Sequence, residues 1–179
     1  HSFPTRRSSD LLAGVDGLYL GDDIGMQRAP MFSIDMYRRF LKPRLAQVIG
    51  AAKDVNPDII VIYHSCGYAK PFIEDLIDAG VDVLNPVQPE CMSFEELFNT
   101  YSDRLSFYGT LGTQTLMPFG TPEQVKATVK KNLDFAGPRG GLLVSPTLPP
   151  RASTTCFTTG SPSPLPAVFV VKNGWNTLG

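Results

Sequence analysis

The short segment His64-Ser65-Cys66 contains two residue types that bind transition metals well. His64 is the last residue of Asp58–His64, a run rich in β-branched residues that is typical of a strand covered on both faces. Side chains alternate along a strand, so His64 and Cys66 are expected to face the same way, and an imidazole with a thiolate can bind Zn²⁺. Two ligands do not make a site, however. The same pattern also fits a buried histidine with one hydrogen-bond partner beside a thiol that packs as a small apolar group.

An acidic pair, Asp22-Asp23, directly follows another predicted strand. In a parallel barrel, chemistry is found where the strands end, so these two residues are candidates for catalysis. Their carboxylates could bind a metal, hold a cationic group of a substrate or move a proton. Two adjacent acids at the start of a solvated loop are equally explained without any function.

Amides and a second thiol follow the later strands. Asn85, Gln88 and Gln114 could orient a substrate through hydrogen bonds, although turn chemistry explains Asn85-Pro86 equally well. Cys91 could be a further ligand beside Cys66, because neighbouring strand ends converge. A buried thiol without a function is the simpler interpretation of Cys91.

Strand and helix patterns alternate regularly between these polar residues. Such alternation with apolar strands predicts a parallel sheet. The spacing favours an α/β fold, the later part of a (β/α)₈ TIM barrel with its early strands missing. A doubly wound open sheet is the alternative, which the lack of a Gly-rich phosphate loop disfavours. The predicted strands are Gly17–Gly21, Asp58–His64, Val81–Asn85, Leu105–Gly109 and Gly140–Pro146.

Four helices are predicted between these strands. Ser33 begins a long apolar period that Pro43 should kink or restart, and Pro71–Ala79 reads as a second helix. Ser93 and Thr121 each begin a capping box, with Glu or Gln three residues later. The last of these helices is predicted to face inward with Val125, Val129 and Leu133.

Composition places limits on the function. The 179 residues carry a formal net charge of −1 and 42% are hydrophobic, which predicts a globular protein without a nucleic-acid footprint. No apolar run reaches the length of a membrane span. The chain contains three cysteines, Cys66, Cys91 and Cys156, at unlike spacings. They do not form a disulfide framework, so a cytoplasmic location is expected.

Both ends of the chain differ from its middle. Residues 1–11, HSFPTRRSSDL, match codon by codon the translation of a common sequencing-adapter oligonucleotide, so we expect them to be non-native. Residues 151–179 contain no Asp or Glu and show no apolar period. A disordered tail would explain this composition, but we expect a frameshift near Leu148. The native part is then residues 12–150, and the true start of the protein lies upstream.

Several motifs together resemble the uroporphyrinogen decarboxylase superfamily. They occur in the family's order and cover nearly all of residues 12–147. The matching segments are His64–Gly67, Asp75–Gln88, Tyr108–Gln114, Phe119–Val125 and Gly140–Thr147. The resemblance implies a (β/α)₈ barrel, in agreement with the alternation of strands and helices.

The resemblance also implies one of two chemistries. One branch of the superfamily decarboxylates the acetate side chains of uroporphyrinogen without a cofactor. The other comprises zinc-dependent methyltransferases, which move methyl groups between a corrinoid protein and a thiol such as coenzyme M. These methyltransferases carry His-x-Cys where this chain has His64 and Cys66, and the decarboxylases generally lack it. The resemblance therefore implies Zn²⁺ at His64 and Cys66 and a corrinoid protein as partner.

Other positions depart from the family pattern. A decarboxylase serine corresponds to Asp23, and a strand-end aspartate of the decarboxylases corresponds to Gly112. A late histidine, and the third zinc ligand of the methyltransferases, would fall just after Thr147. This chain has Leu148-Pro149-Pro150 there, which is a second argument for a frameshift. Cys156 lies beyond the break and is not counted as a ligand.

These observations lead to an expected function for the intact parent protein. We expect zinc-dependent methyl transfer, with His64 and Cys66 as ligands and with Asp22 and Asp23 close to the substrate. Cofactor-free decarboxylation of a porphyrinogen is the alternative, in which a carboxylate stabilises a protonated pyrrole. A third possibility concerns this chain alone, which as a fragment of a barrel would catalyse nothing.

Overall fold

The computed structural model describes residues 16–137 and 139–143. The predictions made for residues 1–11 and 151–179, and for the end of the fifth strand at residues 144–146, lie outside the described residues. The described strands all fall within predicted ones. They are β1 (Gly17–Gly21), β2 (Ile60–His64), β3 (Val83–Asn85), β4 (Ser106–Tyr108) and β5 (Leu142–Leu143).

The five described strands form one sheet in the order β1-β2-β3-β4-β5, and every neighbouring pair is parallel. Each strand therefore lies beside the one that precedes it in the chain. A doubly wound sheet would instead reverse its order at a switch point. The continuous order confirms the prediction of part of a (β/α)₈ barrel, and the described sheet is open, with β1 and β5 at its edges.

Helices connect the strands as the apolar periods predict. A π-helical turn, Tyr37–Leu41, joins the first two helices, and a 3₁₀ turn, Lys70–Phe72, leads into the third. None of the helices in the described residues is long and apolar enough to cross a membrane. They are α1 (Ile34–Met36), α2 (Lys42–Val55), α3 (Ile73–Asp78), α4 (Phe94–Tyr101), α5 (Leu116–Phe119) and α6 (Pro122–Ala136).

Pro43 interrupts the long helical segment, as predicted. Proline has no N–H and cannot take part in the i→i−4 ladder of a helix. Immediately before it, the N–H of Lys42 donates to the carbonyl of Tyr37, five residues back. Pro43 then lies in the first turn of α2, the part of a helix that tolerates proline best.

Both predicted capping boxes begin helices, but only one of them is complete. Thr121 Oγ1 accepts from the N–H of Gln124 at 3.3 Å, and Gln124 Oε1 accepts from the N–H of Thr121 at 2.8 Å. Ser93 Oγ also accepts from the N–H of Glu96, at 3.3 Å. The Glu96 carboxylate does not close the second box, because it binds Lys70 Nζ.

The predicted inner stripe of α6 is confirmed only in part, because Val125 and Val129 are half-buried. Its buried residues are Asn132 and Ala136, whereas Leu133 is 43% exposed. Asn132 is buried on the same face as Val125 and Val129, where its Nδ2 donates to Thr110 Oγ1 at 2.9 Å and to the Thr110 carbonyl at 3.3 Å. Because these hydrogen bonds satisfy the amide, a polar residue can occupy the buried position that apolar periodicity assigns to Leu133.

The core lies between the sheet and the helices. Aromatic rings of α4 and β4 meet within it, and Phe94 lies 5.4 Å from Phe98 and 5.9 Å from Phe107, measured between ring centroids. Aromatic side chains of this kind each bury about 150–250 Å² and dominate the energetics of a core. The largest fully buried side chains include Tyr37, Tyr63, Phe72, Phe98, Phe107, Ile49, Leu76 and Leu84.

Asp75 ties α3 to the helical segment that precedes β2. Its buried carboxylate accepts from Arg38 Nε at 2.9 Å and from Lys42 Nζ at 2.7 Å. Burial by itself would raise the pKa of Asp75, but the hydrogen bonds and charges of Lys42 and Arg38 outweigh it and hold the pKa below its ordinary value. Lys42 also reaches Asp78, at 3.0 Å, on the exposed side of α3.

Replacing Asp75 by Ala should lower the free energy of unfolding by about 2 kcal/mol at pH 7, because a buried, charged hydrogen-bond acceptor is lost. A carboxylate with a depressed pKa stabilises the fold above its unfolded-state pKa of about 3.9, and that stabilisation disappears as the pH falls through the folded pKa. Urea denaturation at pH 7 and near pH 3 measures both effects. Asp78→Ala, which removes an exposed partner of the same lysine, is the control and should cost less than about 1 kcal/mol. An equal loss in both variants would contradict the assignment.

Candidate metal centre

Three side chains with metal-binding atoms meet where β1 and β2 end. They are Asp23, His64 and Cys66, and one ligand atom from each lies within 4.8 Å of the other two. Cys66 Sγ is 3.5 Å from His64 Nε2, and His64 Nε2 is 3.8 Å from Asp23 Oδ1. The predicted convergence of His64 and Cys66 is therefore observed.

Strand register explains why Asp23 joins this cluster. Gly21 pairs with His64 across β1 and β2, and the N–H of Asp22 donates to the His64 carbonyl at 3.1 Å. Asp22 thus extends the strand pairing by one residue, and its side chain does not belong to the three-residue cluster. Its carbonyl accepts from the Tyr63 hydroxyl at 3.3 Å. Of the two predicted acids, the structure brings Asp23 to the histidine and the cysteine.

His64 is held on its other ring nitrogen by two neighbouring strands. His64 Nδ1 lies 2.8 Å from Asn85 Oδ1 on β3 and 2.9 Å from the Tyr19 hydroxyl on β1. Asn85 is in turn bound through its Nδ2 to the Tyr108 carbonyl on β4, at 3.1 Å. Because these contacts occupy Nδ1, the ring presents Nε2 to Cys66 and Asp23.

The loop that carries Cys66 is fixed by hydrogen bonds on three sides. The N–H of Cys66 donates to Asp23 Oδ1 at 2.9 Å, and the buried Ser65 Oγ accepts from the N–H of Ile24 at 3.1 Å. Gln88, predicted as a substrate ligand, is buried and accepts from the N–H of Gly67 at 3.1 Å. These contacts hold the thiol in place before any ligand binds, which is how supporting residues around a metal site act.

A glycine is required next to the cysteine. Gly67 has a φ of +78°, and a Cβ there would lie 2.7 Å from the backbone of Gly25 in the loop after β1. Any other residue would therefore meet both a strained conformation and a steric clash. The close approach of these two loops brings Asp23 and Cys66 together.

Both described cysteines have a thiol pKa above that of a free cysteine. Burial, followed by the charge of Asp23, raises the pKa of the Cys66 thiol. Burial, followed by the charges of Glu90 and of Cys66, raises the pKa of Cys91. Neither thiol is thus activated by the protein alone, and a bound cation would have to displace the proton of Cys66.

The separation of the sulfur and nitrogen donors matches that in a zinc site. A tetrahedral zinc with sulfur at about 2.3 Å and nitrogen at about 2.0 Å places those two atoms about 3.5 Å apart. The separation of Cys66 Sγ and His64 Nε2 is 3.5 Å. Imidazole, thiolate and carboxylate are the ligand types that zinc takes, and three protein ligands leave a fourth position open to a substrate. The set has the composition of a catalytic rather than a structural zinc site.

Gln114 lies in a second network, which joins three loops at the same end of the sheet. Its Nε2 donates to Gln27 Oε1 at 2.6 Å, and its N–H donates to Glu90 Oε1 at 3.0 Å. Glu90 Oε1 also accepts from the N–H and the hydroxyl of Thr115, at 3.2 and 3.1 Å. Burial would raise the pKa of Glu90, but these hydrogen bonds outweigh it and lower the pKa.

Sequence reasoning missed Tyr19 and Glu90. Tyr19 reads as an ordinary strand aromatic, and only the register of three strands places its hydroxyl against His64 and Asn85. Glu90 follows a proline in a loop, where a carboxylate is usually solvated. Gly112 was the one available signal of the Glu90 network, because a Cβ at that position would lie 2.6 Å from Glu90 Oε1.

Replacing Glu90 by Ala should destabilise the loop that follows β4, because the backbone N–H groups of Gln114 and Thr115 lose their shared acceptor. The expected loss is about 2 kcal/mol in the free energy of unfolding. Hydrogen exchange at these two amides should accelerate more than exchange elsewhere in the sheet. Glu95→Ala, which removes an exposed partner of Lys131, is the control and should change stability by less than about 1 kcal/mol. Unchanged exchange at both amides would rule out the network.

Comparison with known proteins places this chain in a family. The family model of uroporphyrinogen decarboxylase (URO-D) matches residues 10–147. A solved methyltransferase from Methanosarcina mazei is similar in structure, with a TM-score of 0.57 and 27% identity, over 78% of this chain and 40% of that one. No protein of curated function matches significantly.

A second solved structure is more distant. It is a dihydropteroate synthase from Burkholderia cenocepacia complexed with 7,8-dihydropteroate, with a TM-score of 0.47 and 18% identity, over 79% of this chain and 52% of that one. That likeness is too weak to carry an argument. The chain spans about half the length of these structures or less. Because the family model covers most of the chain, the chain belongs to the uroporphyrinogen decarboxylase family.

Proposed function

We propose that the whole protein to which these residues belong is a zinc-dependent methyltransferase that moves a methyl group from a corrinoid protein to a thiol. The observation that carries the proposal is the meeting of His64 Nε2, Cys66 Sγ and a carboxylate oxygen of Asp23 at adjacent strand ends. The similarity to a methyltransferase at 27% identity supports the reaction class. The zinc, the corrinoid partner and the acceptor thiol are parts of the proposal.

The residues of this chain have distinct tasks in the proposed reaction. A bound zinc ion would lower the pKa of a substrate thiol and hold it as a thiolate nucleophile. His64 supplies a neutral nitrogen, while Cys66 and Asp23 supply negative charge that compensates the ion. Gln88 holds the loop of Cys66 through Gly67. The loop is thereby positioned before substrate arrives, which reduces the reorganisation that binding requires.

Cofactor-free decarboxylation of a porphyrinogen is the second candidate, favoured by the description of the matching family model. That reaction needs a carboxylate beside a protonated pyrrole. The exposed side chains of Asp22 and Asp23 at the end of β1 are the candidates. The two functions differ in their metal requirement, since only methyl transfer uses His64 and Cys66 as ligands.

The whole protein should be assayed with both substrates. Methylcobalamin with a small thiol such as coenzyme M should be demethylated, and the reaction should stop when zinc is removed and resume when it is restored. Release of CO₂ from uroporphyrinogen that persists in the metal-free protein would instead establish decarboxylation. Cys66→Ala should abolish methyl transfer and leave decarboxylation unaffected.

Zinc titration of the 179-residue chain tests the metal site directly. We expect one Zn²⁺ per chain by calorimetry, and Cys66→Ala should weaken binding by at least ~10-fold, because even supporting residues around such sites contribute that much. Cys91→Ala is the matched control and should keep the wild-type affinity, because Cys91 does not belong to the three-residue cluster. Equal losses in the two variants would remove Cys66 from the ligand set.

The affinity for zinc should also rise with pH. Because the pKa of Cys66 is raised by burial and by Asp23, its thiol is protonated at neutral pH and zinc must displace that proton. Between about pH 7 and pH 8.5 the affinity should increase roughly tenfold per pH unit, with about one proton released per ion bound. Calorimetry in buffers of different ionisation enthalpy counts the proton. An affinity that does not change over this range would show that the thiolate is not a ligand.

A further inference from the structure

Asn85 is a buried amide whose orientation is determined by β4. Its Nδ2 donates to the Tyr108 carbonyl at 3.1 Å, and a carbonyl oxygen can only accept. The other end of the amide, Oδ1, must therefore face His64 and Tyr19. The Tyr19 hydroxyl donates to this oxygen at 3.0 Å.

The amide oxygen determines which nitrogen of His64 carries hydrogen. Asn85 Oδ1 lies 2.8 Å from His64 Nδ1 and can only accept, so a hydrogen bond between them requires the hydrogen on Nδ1. A neutral imidazole has one N–H, so Nε2 is then left with its lone pair. That lone pair belongs to the atom that lies 3.5 Å from Cys66 Sγ and 3.8 Å from Asp23 Oδ1.

We propose that Asn85 is a positioning residue that fixes His64 in its Nδ1-protonated tautomer and so keeps Nε2 free to bind a metal. The inference that this tautomer serves zinc binding rests on the proposed function, whereas the inference of the tautomer itself does not. Asn85 then acts within the protein and not, as its position at a strand end predicts, on a substrate. The carbonyl of Tyr108 becomes part of the same support.

Tyr19 cannot replace Asn85 in this task. A hydroxyl can donate as well as accept, so Tyr19, 2.9 Å from Nδ1, would satisfy either tautomer. With Asn85 present, the Tyr19 hydroxyl is committed as a donor to Oδ1 and can only accept from Nδ1. Without Asn85, the hydroxyl is free to donate to Nδ1, and the carboxylate of Asp23, 3.8 Å from Nε2, then favours the hydrogen on Nε2.

Nitrogen NMR of metal-free protein tests the tautomer without any activity. The chain has two histidines, His1 and His64, so ¹⁵N-histidine labelling gives two imidazole spectra, and His1→Ala identifies the one from His64. The spectra are recorded at about pH 8.5, and in a neutral imidazole the protonated nitrogen is resolved from the bare one by its chemical shift. We expect hydrogen on Nδ1 in the wild type.

Variants give different expected spectra. Asn85→Asp keeps an acceptor and should keep hydrogen on Nδ1, and Tyr19→Phe should do the same because Asn85 remains. Asn85→Leu should move the hydrogen to Nε2, and Tyr101→Phe, remote from the site, should change nothing. A wild-type ring with hydrogen on Nε2, or an Asn85→Leu ring with hydrogen still on Nδ1, would overturn the proposal. If the leucine variant does not fold, the wild-type spectrum still decides, because hydrogen on Nε2 would overturn the proposal.

Zinc titration of the same proteins separates this inference from the proposed function. Asn85→Leu should weaken zinc binding by about 10–100-fold, the usual effect of losing a residue that orients a histidine ligand, while Tyr19→Phe should have a smaller effect. A wild-type chain that shows the Nδ1 tautomer but binds no zinc would refute the proposed function alone. A chain that binds zinc, with a tautomer independent of Asn85, would refute this inference alone.

Discussion

The register of three parallel strands is the constraint on which the candidate site depends. His64 pairs with Gly21 on one side and with Asn85 on the other. The first pairing favours a glycine, because a Cβ at position 21 would lie 3.0 Å from the Cβ of His64, which is a tight contact. A slip of one residue in a parallel sheet turns every side chain to the opposite face, so the same register that buries the core also directs the imidazole.

In the loops beyond these strands, the same hydrogen bonds satisfy buried backbone groups and support the candidate site. The backbone N–H groups of Ile24, Cys66 and Gly67 each find a side-chain acceptor there. Unpaired groups of this kind would cost about 1–3 kcal/mol each if buried, so the contacts that support the site also stabilise the fold. Asp23 serves both purposes, because it accepts from Cys66 and brings negative charge to His64. Its charge raises the pKa of the thiol and at the same time favours a cation.

Much of the fold could be predicted from the sequence because it follows from local periodicity. The run of β-branched residues before His64 predicts a strand, and alternation then predicts that His64 and Cys66 share a face. The inward face of α6 could be predicted only in part, since hydrophobic periodicity favours Val125, Val129 and Leu133, and Leu133 is exposed. One hydrogen-bonded amide, Asn132, occupies the buried position next to it instead. Periodicity measures apolar burial and cannot register a single buried polar contact.

The candidate site was predictable to a similar degree and for a similar reason. Residues within one strand, such as His64 and Cys66, are related by alternation alone. The choice of Asp23 over Asp22 depends on how far the pairing of β1 with β2 continues, and the contact between Tyr19 and His64 depends on three strands. The links that Glu90 makes between loops cross 24 and 25 positions of sequence. Such contacts are tertiary, and a single sequence carries no signal for them beyond a nearby glycine.

The proposed metal binding can be measured separately from the proposed catalysis. All three donor atoms come from the ends of two adjacent strands, and Asn85, which orients the histidine, comes from the third. A site built over so short a span needs only β1, β2 and β3 in register. A methyl donor and an acceptor thiol require a far larger surface, and this chain covers 40% of the methyltransferase to which it is similar. The proposed tautomer of His64 and the proposed affinity for zinc can therefore be measured on this chain, whereas the proposed turnover needs the whole protein. Activity lost through missing surface would leave both measurements intact.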